Sequence, residues 1–349
     1  MTTLFVADIG GTKSELAIYP LTGSDGRALL QKRYTNAEFT GVEEIIEHFL
    51  AEIDQLPQLA CLAVAGLVFG DRAQLTNLPW EIDCRLLEER FGFQRAILIN
   101  DLTAVCSSLT VLEPSDLLEI QATGGRGGEV RGVVAPGTGL GEGLSVEFGG
   151  QVYVRGSEGG HTDFAPVDEE QLALLIWMQK MVQPVSYESL IAGPGLAHLY
   201  DFCREYHHLR ESDWIVESMS KVKDRIPVIV GGAIGIPGIP GTPGSPGKNP
   251  CPLCRRVIEL FLSILGSEAG NLALKLYAMG GIYLGGGILP RLARHITFDG
   301  FLKSFRAKGQ MSSLMQDIPV YLILRKDAAL IGAAQFARQE LKGRCFDGR

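Results

Sequence analysis

The same local pattern occurs twice in this sequence, and that repetition limits the folds open to it more than any other feature. Residues 4–9 form a β-branched, apolar run ending on Gly10-Gly11-Thr12, and a second apolar run follows at 16–19. A second such run starts at Gly132, is broken by Gly137-Thr138-Gly139-Leu140-Gly141, and returns through residues 144–148. Each reads as strand, glycine turn, strand. A unit repeated so far along the chain implies two related lobes, each presenting one glycine turn. The length agrees, because 349 residues exceed the roughly 250–300 at which a single core stops growing.

Between the two hairpins the period changes. Ile45, Ile46, Phe49, Leu50 and Ile53 share one face of a helix over 42–53. Residues 61–68 read as one buried strand, 86–91 as a helix, 96–99 as a strand ending at Asn100-Asp101, and 102–109 as a helix. Beyond the second hairpin the spacing is mainly helical, with a long helix over 257–279. A strand at 282–284 meets Gly285-Gly286-Gly287, a strand follows at 320–324, and a helix at 328–341 packs back on the first lobe. The alternation predicts an α/β protein. We divide it into a small α/β domain, 1–111 plus 319–341, and a large one, 112–318. Residues 235–247 repeat Gly-X-Pro. That is too few triplets for a collagen helix, so 235–250 is expected to be an exposed Gly/Pro-rich loop insert.

Composition excludes several partners. The net charge of −8 leaves no basic face for nucleic acid or an anionic membrane, although backbone N–H groups can still hold a nucleotide's phosphates. The first residues lack a cationic stretch and a long apolar core, and no uninterrupted apolar run approaches a bilayer span. The expectation is a cytoplasmic protein. Seven cysteines suit free thiols; Cys251 and Cys254 form the one C-x-x-C pair, with no second pair to complete a zinc site.

Four constellations carry chemistry. In Ala7-Asp8-Ile9-Gly10-Gly11-Thr12 the glycines let the backbone approach a phosphate, and Asp8 can hold a Mg²⁺-bound water; a plain hairpin turn is the other reading of these residues. The turn at 137–141 is not G-x-G-x-x-G, since Glu142 stands where a final glycine would be, and no P-loop motif occurs. Asn100-Asp101 at a strand end can supply a base for an attacking hydroxyl or simply cap a helix. Glu158-Gly159-Gly160-His161 places a carboxylate and an imidazole where they can bind vicinal hydroxyls, or forms a polar loop. Glu188, ahead of Gly193-Pro194-Gly195, passes on composition as a surface acid.

Taken in order, these motifs resemble the bacterial glucokinase family along nearly the whole chain. The likeness is close at residues 8–13, 75–80 (Leu-Thr-Asn-Leu-Pro-Trp), 99–105 (Ile-Asn-Asp-Leu-Thr-Ala-Val), 137–141, 158–166, 193–195, 280–291 and 317–323. The resemblance implies a two-lobed actin-like ATPase (ribonuclease H-like) fold, with ATP in an inter-lobe cleft, Mg²⁺, and transfer of phosphate to the 6-hydroxyl of D-glucose. It implies Asp101 as catalytic base and Asn100, Glu158, His161 and Glu188 as glucose ligands. Residues 7–12 and Gly137, Thr138 and Gly139 would face the ATP phosphates, and Gly285 and Gly286 the adenosine. The Gly-X-Pro insert departs from the family, which has a helical stretch there. The cysteine-rich zinc motif of ROK sugar kinases is absent, which places the chain in the zinc-free branch. A homodimer is compatible with this reading. The alternatives are a kinase of another hexose, a non-catalytic sugar sensor, for which no DNA-binding segment precedes Asp8, and a sugar-independent ATPase.

Overall fold

The structure, a computed structural model, describes residues 2–22, 26–76, 78–123, 127–236, 249–343 and 345–346. Most of the Gly-X-Pro segment lies outside these. The first sheet is built around Thr3–Ile9, whose Leu4, Phe5, Val6, Ala7 and Ile9 are fully buried, as a strand covered on both faces requires. Its order is Leu30–Thr35, Lys13–Pro20, Thr3–Ile9, Leu59–Val64, Arg95–Asn100; the first three are antiparallel and the last three parallel. The second sheet repeats this order and sense with Gln151–Ser157, Leu140–Phe148, Val130–Pro136, Ile282–Leu284 and Val320–Ile323. Leu117–Gln121 and Cys345–Phe346 are added at its two edges. The duplication seen in the hairpins therefore extends to five strands.

Two helices, Asp101–Ser108 and Ala328–Leu341, form a layer between the sheets. One apolar cluster joins Leu4, Val6, Cys61 and Ile97 of the first sheet to Val133, Val152 and Val154 of the second, through Ala104, Cys106, Ala333, Ala334 and Phe336. The helices cross so closely that a Cβ on Gly332 would stand 1.8 Å from the Ala104 carbonyl oxygen. Helices Val42–Leu50 and Cys84–Phe91 cover the outer face of the first sheet. The far side of the second is covered by Pro252–Leu276 and its neighbours. That 25-residue helix is long and apolar enough to cross a membrane by composition, but 78% of its most apolar window is buried in the protein core. A helix enclosed on all sides is apolar all round.

Two expectations need correction. The run 61–68 is not one strand: Leu59–Val64 lies in the first sheet, and Gly66–Phe69 turns away to pair with Arg72–Leu75 in a separate three-stranded sheet. There Leu67 and Phe69 are exposed. The strand Val320–Ile323, assigned with its following helix to the first lobe, pairs in the second sheet with Ile282–Leu284 and Leu117–Gln121. The helix Ala328–Leu341 alone reaches back toward the first sheet.

Candidate active site

Asp101 opens helix Asp101–Ser108 at the carboxyl end of strand Arg95–Asn100, the end at which ligands gather in such sheets. Asn100 caps this helix: its Oδ1 accepts from Leu102 N at 2.9 Å, and its Nδ2 donates to Gly66 O at 3.3 Å. One Asp101 carboxylate oxygen also accepts from Leu102 N at 2.9 Å. The capping reading thus holds for Asn100, and it leaves the Asp101 carboxyl the freer of the two.

The first glycine turn closes with Gly10 N donating to Lys13 O at 3.1 Å. It is held from below by Asn36, which is 1% exposed. Asn36 Nδ2 donates to Gly10 O at 2.8 Å, and its Oδ1 accepts from Ser14 Oγ at 2.7 Å. Ala7 and Ile9 have wholly buried side chains, so only their backbone can meet a ligand. Thr12 is exposed. Asp8 lies close enough to Asp101 to feel its charge. Burial first, then the Asp101 carboxylate, push the Asp8 carboxyl up to about 7, against a smaller opposing effect of Arg33. Burial likewise raises Asp101 to about 6, with its backbone hydrogen bonds opposing and the Glu158 charge adding to the rise.

The second turn reaches the same place from the other lobe. Gly141 has Leu102 against it, and a Cβ there would lie 2.3 Å from Leu102 Cδ2. Gly156 N donates to Thr103 Oγ1 at 2.9 Å. Within the turn Gly137 N donates to Gly139 O at 2.8 Å, and Gly137 O accepts at 2.8 Å from Gly193 N, at the start of helix Gly193–His207. Thr138 is exposed at its tip. Leu140 N donates to Glu188 Oε2 at 2.8 Å, so Glu188 is no ordinary surface acid. His161 Nε2 stands 3.8 Å from Glu188 Oε1 and 3.9 Å from Glu158 Oε2. Glu158, His161 and Glu188 therefore form one group. The third glycine element adjoins the second turn: Gly285 N donates to Val134 O at 2.9 Å, and Gly286, at φ 78°, passes over the Pro136 carbonyl. That approach leaves room for glycine only.

Asp8, Asp101 and Glu158 are thus linked electrostatically, and two backbone turns converge beside them. This arrangement suits an alcohol being activated next to a bound polyphosphate. The sequence profile of the family described as Glucokinase matches residues 5–340. The chain belongs to the glucokinase family. A glucokinase of Nostoc punctiforme is 36% identical over 346 residues, covering 96% of this chain and 98% of that one. Among solved structures, glucokinase from an Antarctic psychrotroph is 29% identical, with a TM-score of 0.77 and 96% and 98% of the two chains covered. A ROK family glucokinase from Streptomyces griseus, solved with glucose and AMPPNP, shares the fold at 19% identity and a TM-score of 0.64, with 97% and 99% covered. The reaction of this glucokinase family member is ATP-dependent phosphorylation of glucose.

Sequence reasoning missed Asn36, which carries no motif and is recognisable only as a polar residue that the fold buries. It also passed over Glu142, except as a break in a glycine pattern, although that carboxyl is 2% exposed. A cavity of about 660 Å³ lies elsewhere in this family member, between Asp168, Glu170, Arg256, Glu259 and Lys303. None of the expected ligands lines it.

Proposed function

We propose that Asp101 is the base that takes the proton of the glucose 6-hydroxyl, with Asn100, Glu158, His161 and Glu188 orienting the sugar and Asn100 also fixing the start of the catalytic helix. The observation that supports this most is the placement of the Asp101 carboxyl: half-buried, bound to its own helix on one side, and beside both glycine turns. A carboxylate raised toward neutrality by burial is a better proton acceptor than a solvated one at the same pH. The turns at 7–12 and 137–139 supply backbone N–H groups for phosphate oxygens, and Gly285 and Gly286 flank the place for adenosine.

Asp8 fits a divalent cation. Two raised carboxylates, Asp8 and Asp101, stand together, and among the described residues neither forms an ion pair. Asp8 would hold Mg²⁺ through water, and the ion would neutralise charge on the transferring phosphoryl group. The protein's own contribution is to bind and orient the sugar, accept its proton at Asp101 and exclude water, a competing acceptor.

Asp101→Asn tests the assignment. General-base help is worth about 10²–10⁴ in rate, so kcat should fall by that much while glucose binding, measured by titration, survives. Near-normal turnover would remove Asp101 from the role. A neighbouring reading, preference for another hexose, is decided by kcat/KM across sugars that differ only at C2.

A further inference from the structure

Glu142 follows the second glycine turn on strand Leu140–Phe148, and Glu268 sits within helix Pro252–Leu276. Both are buried, at 2% and 0% exposure. Glu142 lies close enough to Glu268 to feel its charge, yet Glu142 Oε1 and Glu268 Oε1 find no hydrogen-bond partner among the described residues. Ionised carboxylates only accept hydrogen bonds, so two in contact need a proton between them.

The pair lies directly beneath the sugar loop. A Cβ on Gly159 would stand 2.0 Å from Glu142 Oε2, so that carboxyl is the floor on which the turn Gly159–His161 rests. On the other side Glu268 Oε2 accepts from Asn271 Nδ2 at 2.9 Å, and the same amide donates to the Tyr187 hydroxyl at 3.1 Å. Tyr187 precedes Glu188, and its N–H donates to Thr162 O at 3.1 Å. The network therefore touches both segments that carry the three grouped sugar side chains.

We propose that protonated Glu142 donates to ionised Glu268, and that this pair is a positioning device that sets the loop bearing Glu158 and His161, and with it the affinity for glucose. The proposal rests on reading Glu158, His161 and Glu188 as sugar ligands. Two lysines face the pair, and the contacts both make lie on the Glu268 side. Lys275 Nζ stands 3.8 Å from Glu268 Oε1. Lys308 interacts with the Glu268 charge and donates to Asn271 Oδ1 at 2.6 Å. Tyr187 borders Glu268 from the sugar side. Burial, then the Glu268 charge, push the Glu142 carboxyl up to about 8, with Lys275 opposing. Below that pH the proton is in place. Above it two buried anions repel, and the turn that carries the exposed Glu158 and His161 is what can yield.

The test is glucose KM and kcat of the full chain from about pH 6 to about pH 10, for the wild type, Glu142→Gln, Glu268→Gln, Glu142→Ala and Glu158→Gln. Wild-type KM should rise above about pH 8, by at most about tenfold per unit since one proton is lost, with kcat changing less. Either glutamine keeps a donor between the two side chains at every pH, so the alkaline rise should vanish in Glu142→Gln and Glu268→Gln. Glu142→Ala removes the floor and should raise KM throughout. An alkaline rise that persists in both glutamine variants, or is missing in the wild type, overturns the proposal. An unchanged KM in Glu158→Gln would instead overturn the sugar-loop reading, so the two failures are distinguishable.

Discussion

At the scale of single residues, Asp101 is set so that activity and stability pull in opposite directions. Its folded pKa of about 6 lies above the ordinary 3.8. In the proposed role of base Asp101 works only when ionised, so kcat/KM should fall as pH drops through about 6; an acid limb centred near 4 would contradict the burial of this carboxyl. The stabilising contribution runs the other way. It is complete below the unfolded pKa, where both states are protonated, and is lost as pH rises through the folded value. Asp101→Asn removes a charge held out of water, so at pH 8 its melting temperature should exceed that of the wild type; a lower value would mean that the carboxylate's backbone hydrogen bonds outweigh its desolvation. The family resemblance singles out Asp101 and Glu158, since each motif alone also reads as a helix cap or a polar loop. The sequence did not show Asn36 or Glu142, because a polar residue that the fold buries looks like any surface residue until its neighbours from elsewhere in the chain are in place.

At the scale of elements, most of what periodicity predicted is present with shifted ends. The long helix expected at 257–279 runs over Pro252–Leu276, started earlier by a proline that suits a first helical turn. Residues 61–68 misled because a continuous apolar run does not reveal where the chain changes sheet. That break depends on Gly66, whose missing side chain lets it lie against the Gln74 carbonyl. The fit between Asp101–Ser108 and Ala328–Leu341 depends on another glycine. Alanine at 332 would gain about 1 kcal/mol in helix propensity but would meet the Ala104 carbonyl, an overpacking that typically costs about 1–3 kcal/mol. Gly332→Ala should therefore destabilise on balance in urea unfolding. It should also reduce kcat, since the helix it pushes against carries Asp101, the proposed base. A stabilised variant would show that the two helices can slide apart freely.

At the scale of the whole molecule, the duplicated five-strand order was foreshadowed by two hairpins, but the partition between the halves was not. Pairing of Val320–Ile323 is decided by strands nearly two hundred residues earlier in one case, Leu117–Gln121, and local pattern carries no such information. One apolar cluster contains residues of both sheets and both middle helices, so unfolding should be a single cooperative transition. Glucose at about a hundred times its Kd should shift that entire transition by about 2.7 kcal/mol. Two transitions, of which glucose moves one, would show that the halves unfold separately. The hydrogen bond from Leu140 N to Glu188 has an evolutionary consequence. On the roles proposed for them, a descendant under selection for a different sugar could not exchange Glu188 without also loosening the turn at 137–141, so taste in sugars and grip on the phosphate donor would be inherited together.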